Sequence, residues 1–240
     1  MATDLRYAAA TDVGLVREVN EDAYVLAPPL FAVADGMGGH AGGDVASAIV
    51  VEELGRLGEG TYDEAAAEAA VLEALLESQR RIEDHAHGGV GRAAPGTTVV
   101  AALLVGESWL LVNLGDSRVY RMKDGHLVQV SRDHSLVQEL LDAGDITEDE
   151  VADHPERHVI TRALGGPGFS DPDLFWVDVA DTDRLLLCTD GVNGFVDDEH
   201  IARVLVTEAE PDAAAAALVR LSLDAGGEDN ATAVVVDVVG

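Results

Sequence analysis

Apolar residues along this chain alternate or repeat in short blocks, and the block type changes several times. Short apolar runs at 5–11, 23–26 and 30–35, separated by Gly, Asn and Pro, predict three strands. Over 44–57 the spacing lengthens, and Ala46, Ile49, Val50, Leu54 and Leu57 fall on one helical stripe. A second helix is expected over 63–84, opened by Asp63 as N-cap, with Val71, Leu72, Leu75, Leu76 and Ile82 on its apolar side. Residues 87–96 are glycine-rich and read as a loop. Strand signals return at 97–105, 108–114, 118–122 and 127–131, and Lys123-Asp124-Gly125 turns the last two into a hairpin. Links this short force antiparallel pairing, because a parallel crossover needs roughly a dozen residues or more.

A helix is expected at 135–143, stopped by Gly144. The chain then becomes acidic and polar, with one short helix at 147–153. Residues 184–189 read as a buried strand, 198–206 and 211–225 as helices, and 231–239 as a closing strand. Pro211 sits in the first turn of its helix and Gly226-Gly227 ends it. No repeat or linker divides the 240 residues, so one domain spanning 1–240 is expected, with a flap-like excursion at about 145–164. Antiparallel strands accompanied by paired amphipathic helices predict an α+β fold, two packed antiparallel β-sheets with helical layers outside.

The charge balance narrows the partners. With 45 acidic against 15 basic residues, the formal net charge is −30, which disfavours nucleic acid and anionic membrane surfaces and attracts basic protein segments. Cys188 is the single cysteine, so no disulfide framework exists and a reducing compartment, the cytoplasm, is expected. Residues 1–7 lack the apolar core of a signal peptide, and no segment is long and apolar enough for a membrane helix.

The chemistry lies in acidic signatures at strand ends: Arg17-x-x-Asn20-Glu21-Asp22, Ala34-Asp35-Gly36-Met37-Gly38-Gly39, Gly115-Asp116-Ser117-Arg118, Thr189-Asp190-Gly191 and Glu228-Asp229-Asn230. A carboxylate at the end of an apolar strand is costly to fold unless a cation neutralises it. Hard oxygen donors without soft ones favour Mg²⁺ or Mn²⁺. Two such ions ~3.5–4 Å apart can share one Asp and a bridging water whose pKa falls from 15.7 towards about 7. Any one Asp-Gly pair is more simply an ordinary turn. The ordered set, with its arginine and asparagine partners, is not explained that way.

Together with Gly96-Thr97-Thr98 and His158-Val159-Ile160-Thr161-Arg162-Ala163-Leu164-Gly165, these motifs resemble the PPM family, the metal-dependent protein serine/threonine phosphatases, and its bacterial branch in particular. The resemblance runs over 5–239 in the family's motif order. It implies a four-layer αββα sandwich with metals at one end, hydrolysing phosphoserine and phosphothreonine on proteins with a metal-activated bridging water. Asp35 would bridge two Mn²⁺ or Mg²⁺ ions, with the Gly36 carbonyl as a ligand. Glu21 and Asp22 would serve one ion directly or through water. Asp190 and Asp229 would complete the other, and Asp116 with Asp190 would hold a third, weaker ion. Asn230 would support these ligands from behind. Arg17 would grip the substrate phosphate with its planar fork, joining Asp35 and Asp190 as the catalytic set. The implied partners are phosphorylated proteins and the bacterial serine/threonine kinases whose signalling such a monomeric enzyme reverses.

Two positions depart from the pattern. Met37 follows Asp35-Gly36 where some relatives carry a proton-donating histidine; His40 is near but not equivalent, and a metal-bound water is the other candidate. Gly194 stands where an acid usually follows Asp-Gly-x-x, which touches the control of metal hydration. Other readings compete. Gly36-x-Gly38-x-x-Ala41, with Glu52 and Glu53 downstream, resembles a dinucleotide-binding turn, although Asp35 would then face the pyrophosphate. A catalytically inactive module of the same fold is a further alternative. Cys188 lacks the arginine six residues on that a thiol phosphatase needs, and is expected in the core. Asp181-Thr182-Asp183 precedes a strand, whereas an aspartyl nucleophile motif follows one.

Overall fold

The computed structural model describes residues 3–38, 42–87, 95–151 and 154–239. His40 and Ala41, most of the loop at 87–96, and Asp153 at the end of the expected short helix lie outside them.

The element order is β1 (Asp4–Asp12), β2 (Asp22–Ala27), β3 (Leu30–Met37), α1 (Gly43–Gly55), α2 (Glu64–His87), β4 (Gly96–Thr97), β5 (Val99–Val105), β6 (Ser108–Leu114), β7 (Arg118–Lys123), β8 (His126–Gln129), α3 (Leu136–Ala143), α4 (Glu148–Val151), β9 (Asp173–Asp178), β10 (Arg184–Cys188), α5 (Asp190–Asn193), α6 (Asp198–Thr207), α7 (Pro211–Asp224) and β11 (Ala231–Val239). Among these strands every pairing is antiparallel. One sheet runs β1-β11-β10-β7-β8. The other runs β2-β3-β5-β6-β9, with β4 attached to β3.

Side-chain alternation explains why the central strands are apolar throughout: both faces are covered. In β3, Leu30, Ala32 and Ala34 pack with α1 and α2, whereas Phe31 and Val33 face the other sheet. In β10, Leu185 and Leu187 point between the sheets, and Leu186 and Cys188 point towards α5, α6 and α7. The result is helices, sheet, sheet, helices, the four-layer α+β sandwich expected. Ala46, Ile49, Val50, Leu54 and Leu57 are all buried, as the stripe in α1 required. Cys188 is a buried free thiol, and burial pushes its pKa up to about 12, so it is an inert core residue. The β7–β8 turn has positive φ at Asp124 (49°) and Gly125 (76°), the backbone a two-residue hairpin needs.

Several boundaries differ from expectation. The strand expected at 97–105 is two pieces: the Thr98 N–H still donates to the Asp35 carbonyl at 2.9 Å, but the Asp35 N–H returns to the Thr98 hydroxyl at 3.1 Å and not to a backbone carbonyl. The strand expected at 127–131 ends at Gln129; the Val130 and Ser131 N–H groups instead donate to the Val119 carbonyl. The edge strand β9 was not anticipated. Within 145–164, only the first part is an excursion: Leu164 is fully buried and bridges Thr97, and Ile160 bridges Ser135. No helix among the described residues is long and apolar enough to cross a membrane.

Candidate metal centre

The sandwich gathers the acidic signatures at one end. Asp22 opens β2, Asp35 lies near the end of β3, Asp116 occupies the β6–β7 turn, Asp190 opens α5 just past β10, and Asp229 precedes β11. Asp22 and Asp35 stand directly opposite each other in the β2–β3 register. Like charges facing across a ladder are destabilising, so this pairing demands a compensating proton or cation.

Each carboxyl is held by a particular neighbour. Asp22 Oδ2 accepts from the hydroxyls of Thr189 (2.9 Å) and Thr232 (2.7 Å), while Oδ1 is buried without a partner. Burial is the main force pushing the Asp22 pKa up to about 7; the two threonines oppose it, and the charges of Asp190 and Asp229 add to it. Asp116 Oδ1 is likewise buried and unpartnered. Desolvation first, then the charges of Asp190 and Asp133, push the Asp116 pKa up to about 8. Asp35 is raised well above the carboxylate range by burial and by Asp22, Asp190 and Asp116. Asp35 and Asp190 lie close enough to perturb one another, and Asp190 is also raised, by burial and by Asp229.

Glycines let the backbone close around these groups. A Cβ on Gly36 would collide with the Gly43 carbonyl, and one on Gly191 with the Asn230 carbonyl. The Gly36 N–H donates to the Glu21 carbonyl at 3.1 Å. The Glu21 carboxylate lies against Gly43 at the start of α1; burial and Asp44 raise its pKa. Arg17, half-exposed, donates to Asp229 Oδ2 at 2.7 Å. Asn230 Oδ1 accepts the Glu21 N–H (2.8 Å), and its Nδ2 donates to the carbonyls of Val13 (2.9 Å) and Val19 (3.0 Å). A Cβ on Gly194 would lie 2.7 Å from the Asp190 carbonyl oxygen, so this turn is tight at the position of the missing acid.

Thr189, Thr98 and Ser117 stood within the sequence motifs without a role of their own, and Thr232 was not singled out. Thr98 and Ser117 join hydroxyls at 2.7 Å, linking the Asp35 strand to the Asp116 turn. For Thr189 and Ser117 the available signal was a hydroxyl residue immediately beside an acidic one, Asp190 and Asp116.

Among the described residues, no three His, Cys, Asp or Glu side chains already converge as a ligand set. The donor chemistry nevertheless fits a hard divalent cation. The oxygens are carboxylates, two of them are orphaned and buried, and neighbouring acids raise one another's pKa in mutual repulsion. A dinucleotide does not fit. Asp35 occupies the turn, and the parallel βαβ unit that such a site needs is replaced by antiparallel ladders among the described strands.

The comparisons agree with this geometry. A family model described as Protein phosphatase 2C matches residues 17–221. The chain is 42% identical over 242 residues to the serine/threonine protein phosphatase PstP of Mycobacterium tuberculosis, covering 98% of this chain and 45% of that protein. It therefore spans about half the length of that relative. It is 34% identical to the serine/threonine phosphatase stp of Listeria welshimeri, covering 95% of this chain and 93% of that one. Its fold superposes on the crystal structure of the PstP catalytic domain in complex with two manganese ions with a TM-score of 0.88 at 39% identity, over the full length of both chains. The resemblance drawn from the motifs holds, and this chain belongs to the protein phosphatase 2C family.

Proposed function

We propose that this chain hydrolyses phosphoserine and phosphothreonine esters on proteins and depends on Mn²⁺ or Mg²⁺ to do so. The observation that carries the reading is a cluster of buried carboxylates that repel one another and lack a cation of the protein's own, with Asp22 and Asp35 facing across one ladder. Asp35 and Asp190, flanked by Asp22, Asp229, Glu21 and the Gly36 carbonyl, would hold two ions; Asp116 with Asp190 would hold a third, weaker one. When bound, such ions neutralise phosphate charge and acidify water, whose pKa falls towards about 7.

The chain's own residues do the rest. Thr189 and Thr232 fix the Asp22 carboxylate through one oxygen and leave the other without a partner, available to serve an ion. Asn230 keeps the backbone of 13–21 against the Asp229 turn. Arg17, already beside Asp229, presents a planar fork to the phosphate and offsets the repulsion a −30 protein exerts on a dianion. Water attacks phosphorus, the bond to the side-chain oxygen breaks, and that oxygen leaves as the serine or threonine hydroxyl. Met37 carries no transferable proton, so the leaving oxygen is protonated from water.

Phosphorylated proteins are the substrates under this reading, and serine/threonine kinases are the enzymes it opposes. The test is phosphate release from a phosphothreonine peptide with Mn²⁺, without it, and with excess EDTA. Release should require the metal absolutely; full activity in EDTA would overturn the reading.

A further inference from the structure

Large apolar side chains left exposed in the described residues are mostly scattered singly, which is ordinary. The exception is the arch of residues 13–20 that joins β1 to β2. Leu15 is 70% exposed, Val16 66% and Val19 56%, and Arg17 lies among them. An apolar cluster around the arginine beside the metal centre needs a reason, because loops that only connect strands carry polar residues outward.

The arch is not slack. One Asn230 amide ties the carbonyls of Val13 and Val19 together, and its oxygen takes the Glu21 N–H. The Leu15 N–H donates to the Gly227 carbonyl at 2.7 Å. Gly14 has φ +81° and sits so close to the Asp229 carbonyl that a Cβ would collide with it. Both feet of the arch are thus fastened to the turn that carries Asp229, and its apolar side chains are presented outward on a fixed backbone. A surface preorganised in this way loses little entropy when something docks on it.

We propose that the 13–20 arch is a substrate-docking surface that takes apolar residues immediately flanking the phosphorylated serine or threonine. This rests on the phosphatase reading above. Continuity with Arg17 identifies the occupant. In an extended segment, residues advance by about 3.3 Å each and alternate in direction, so a phosphate at Arg17 brings its near neighbours over Leu15, Val16 and Val19. The exposed Glu18 within the arch and the net charge of −30 both disfavour acidic flanks. The preferred segment is therefore apolar and non-acidic beside the phosphate.

Two phosphothreonine peptides that differ only in their flanking residues, Leu and Val in one and Ser and Gly in the other, separate the possibilities. They are compared with p-nitrophenyl phosphate on the wild type and on the Leu15→Ser/Val16→Ser double variant, all in Mn²⁺. The wild type should favour the apolar peptide by roughly tenfold in kcat/KM. The double variant should bring that ratio close to one while leaving p-nitrophenyl phosphate hydrolysis unchanged. Equal wild-type rates on both peptides would overturn the inference, as would an unchanged preference in the variant. A parallel loss on p-nitrophenyl phosphate would also overturn it, by making the arch a support of the metal centre. Sedimentation showing a wild-type dimer that the variant abolishes would give the patch to a second copy instead. No release from any peptide would sink the phosphatase reading itself, an outcome distinct from all of these.

Discussion

The strands β10 and β11 carry buried charge at both of their ends, and the two ends solve the problem in opposite ways. At one end Arg184 and Asp237 are paired in register, each less than a tenth exposed. Arg184 Nε donates to Asp237 Oδ1 at 2.5 Å and Nη2 to Oδ2 at 3.0 Å, and its remaining donors reach the carbonyls of Leu205, Glu208 and Ala209. Every charge there has an internal partner. At the other end, Asp190 and Asp229 join Asp22, Asp35 and Asp116; Arg17 reaches only Asp229, and two carboxylate oxygens are left unpartnered. Buried charge matched within the protein is structural. Buried charge that awaits a cation from outside is a binding site, and the fold tolerates its repulsion for that purpose.

Exchanging the consequences of mutation between the two ends gives the largest expected effect. Asp190→Asn should lower turnover by several orders of magnitude and leave the urea midpoint of the metal-free protein unchanged or higher, because it removes a repelling charge. Asp237→Ala should do the reverse. It strands a buried guanidinium, at about 3–5 kcal/mol of stability, while the protein that remains folded keeps its phosphatase rate. Urea titration and phosphate release, run on both variants, check this. The distinction breaks if Asp190→Asn unfolds as readily as Asp237→Ala.

A pH series sharpens it. In the unfolded chain, Asp22 and Asp116 lose their protons near the ordinary carboxylate pKa of about 3.9. In the folded chain they hold them until about 7 and about 8. Proton retention therefore contributes stability that is complete below about pH 4 and is lost as the pH rises through the folded values. In EDTA the urea midpoint should fall between pH 5 and pH 8.5. Saturating Mn²⁺ should flatten that slope, since the ion replaces the protons and stabilises the folded state by binding it. A slope that is the same with and without metal would mean that these carboxylates are not the ion site.

The smallest expected effect belongs to a region with neither kind of burial. The turn α4 has no buried residue, and its acids bond only locally, as Glu150 does to Thr147. Replacing Glu148, Asp149 and Glu150 with alanine should leave the urea midpoint and p-nitrophenyl phosphate hydrolysis unchanged while altering rates on folded phosphoproteins. Equal changes on both substrates would instead tie this turn to the metal centre.

The sequence exposed the parts of this molecule whose signals are local. Asp124-Gly125 between two strands reads as a hairpin turn, and the five acidic signatures taken together, not any single strand-end aspartate, mark the site. The strand β9 escaped notice because Leu174, Phe175, Trp176 and Val177 are all half-buried at a sheet edge, so no alternation distinguishes them. The helix α5, four residues long, barely completes one 3.6-residue turn, so no repeat can show in it. Within the site, the carboxylates were legible, but what orients them was not. The Thr189 hydroxyl reaches Asp22 across 167 positions and Asn230 reaches Val13 across 217, distances that no local pattern encodes.

The pairing of β1 with β11, from Asp4 opposite Val239 to Asp12 opposite Ala231, has a consequence for the order in which the protein is made. β1 leaves the ribosome before the other strands of its sheet and pairs there with β11 alone. Asp22 and Asp35 follow soon after, yet Asp229, Asn230 and Thr232 arrive some two hundred residues later. Until β11 is synthesised, Asp22 lacks one of its two hydroxyl partners and the arch around Arg17 has no clasp. Translation products interrupted before β11 therefore carry an open strand edge and scattered acids instead of an assembled centre, and competence arrives only once β11 is made.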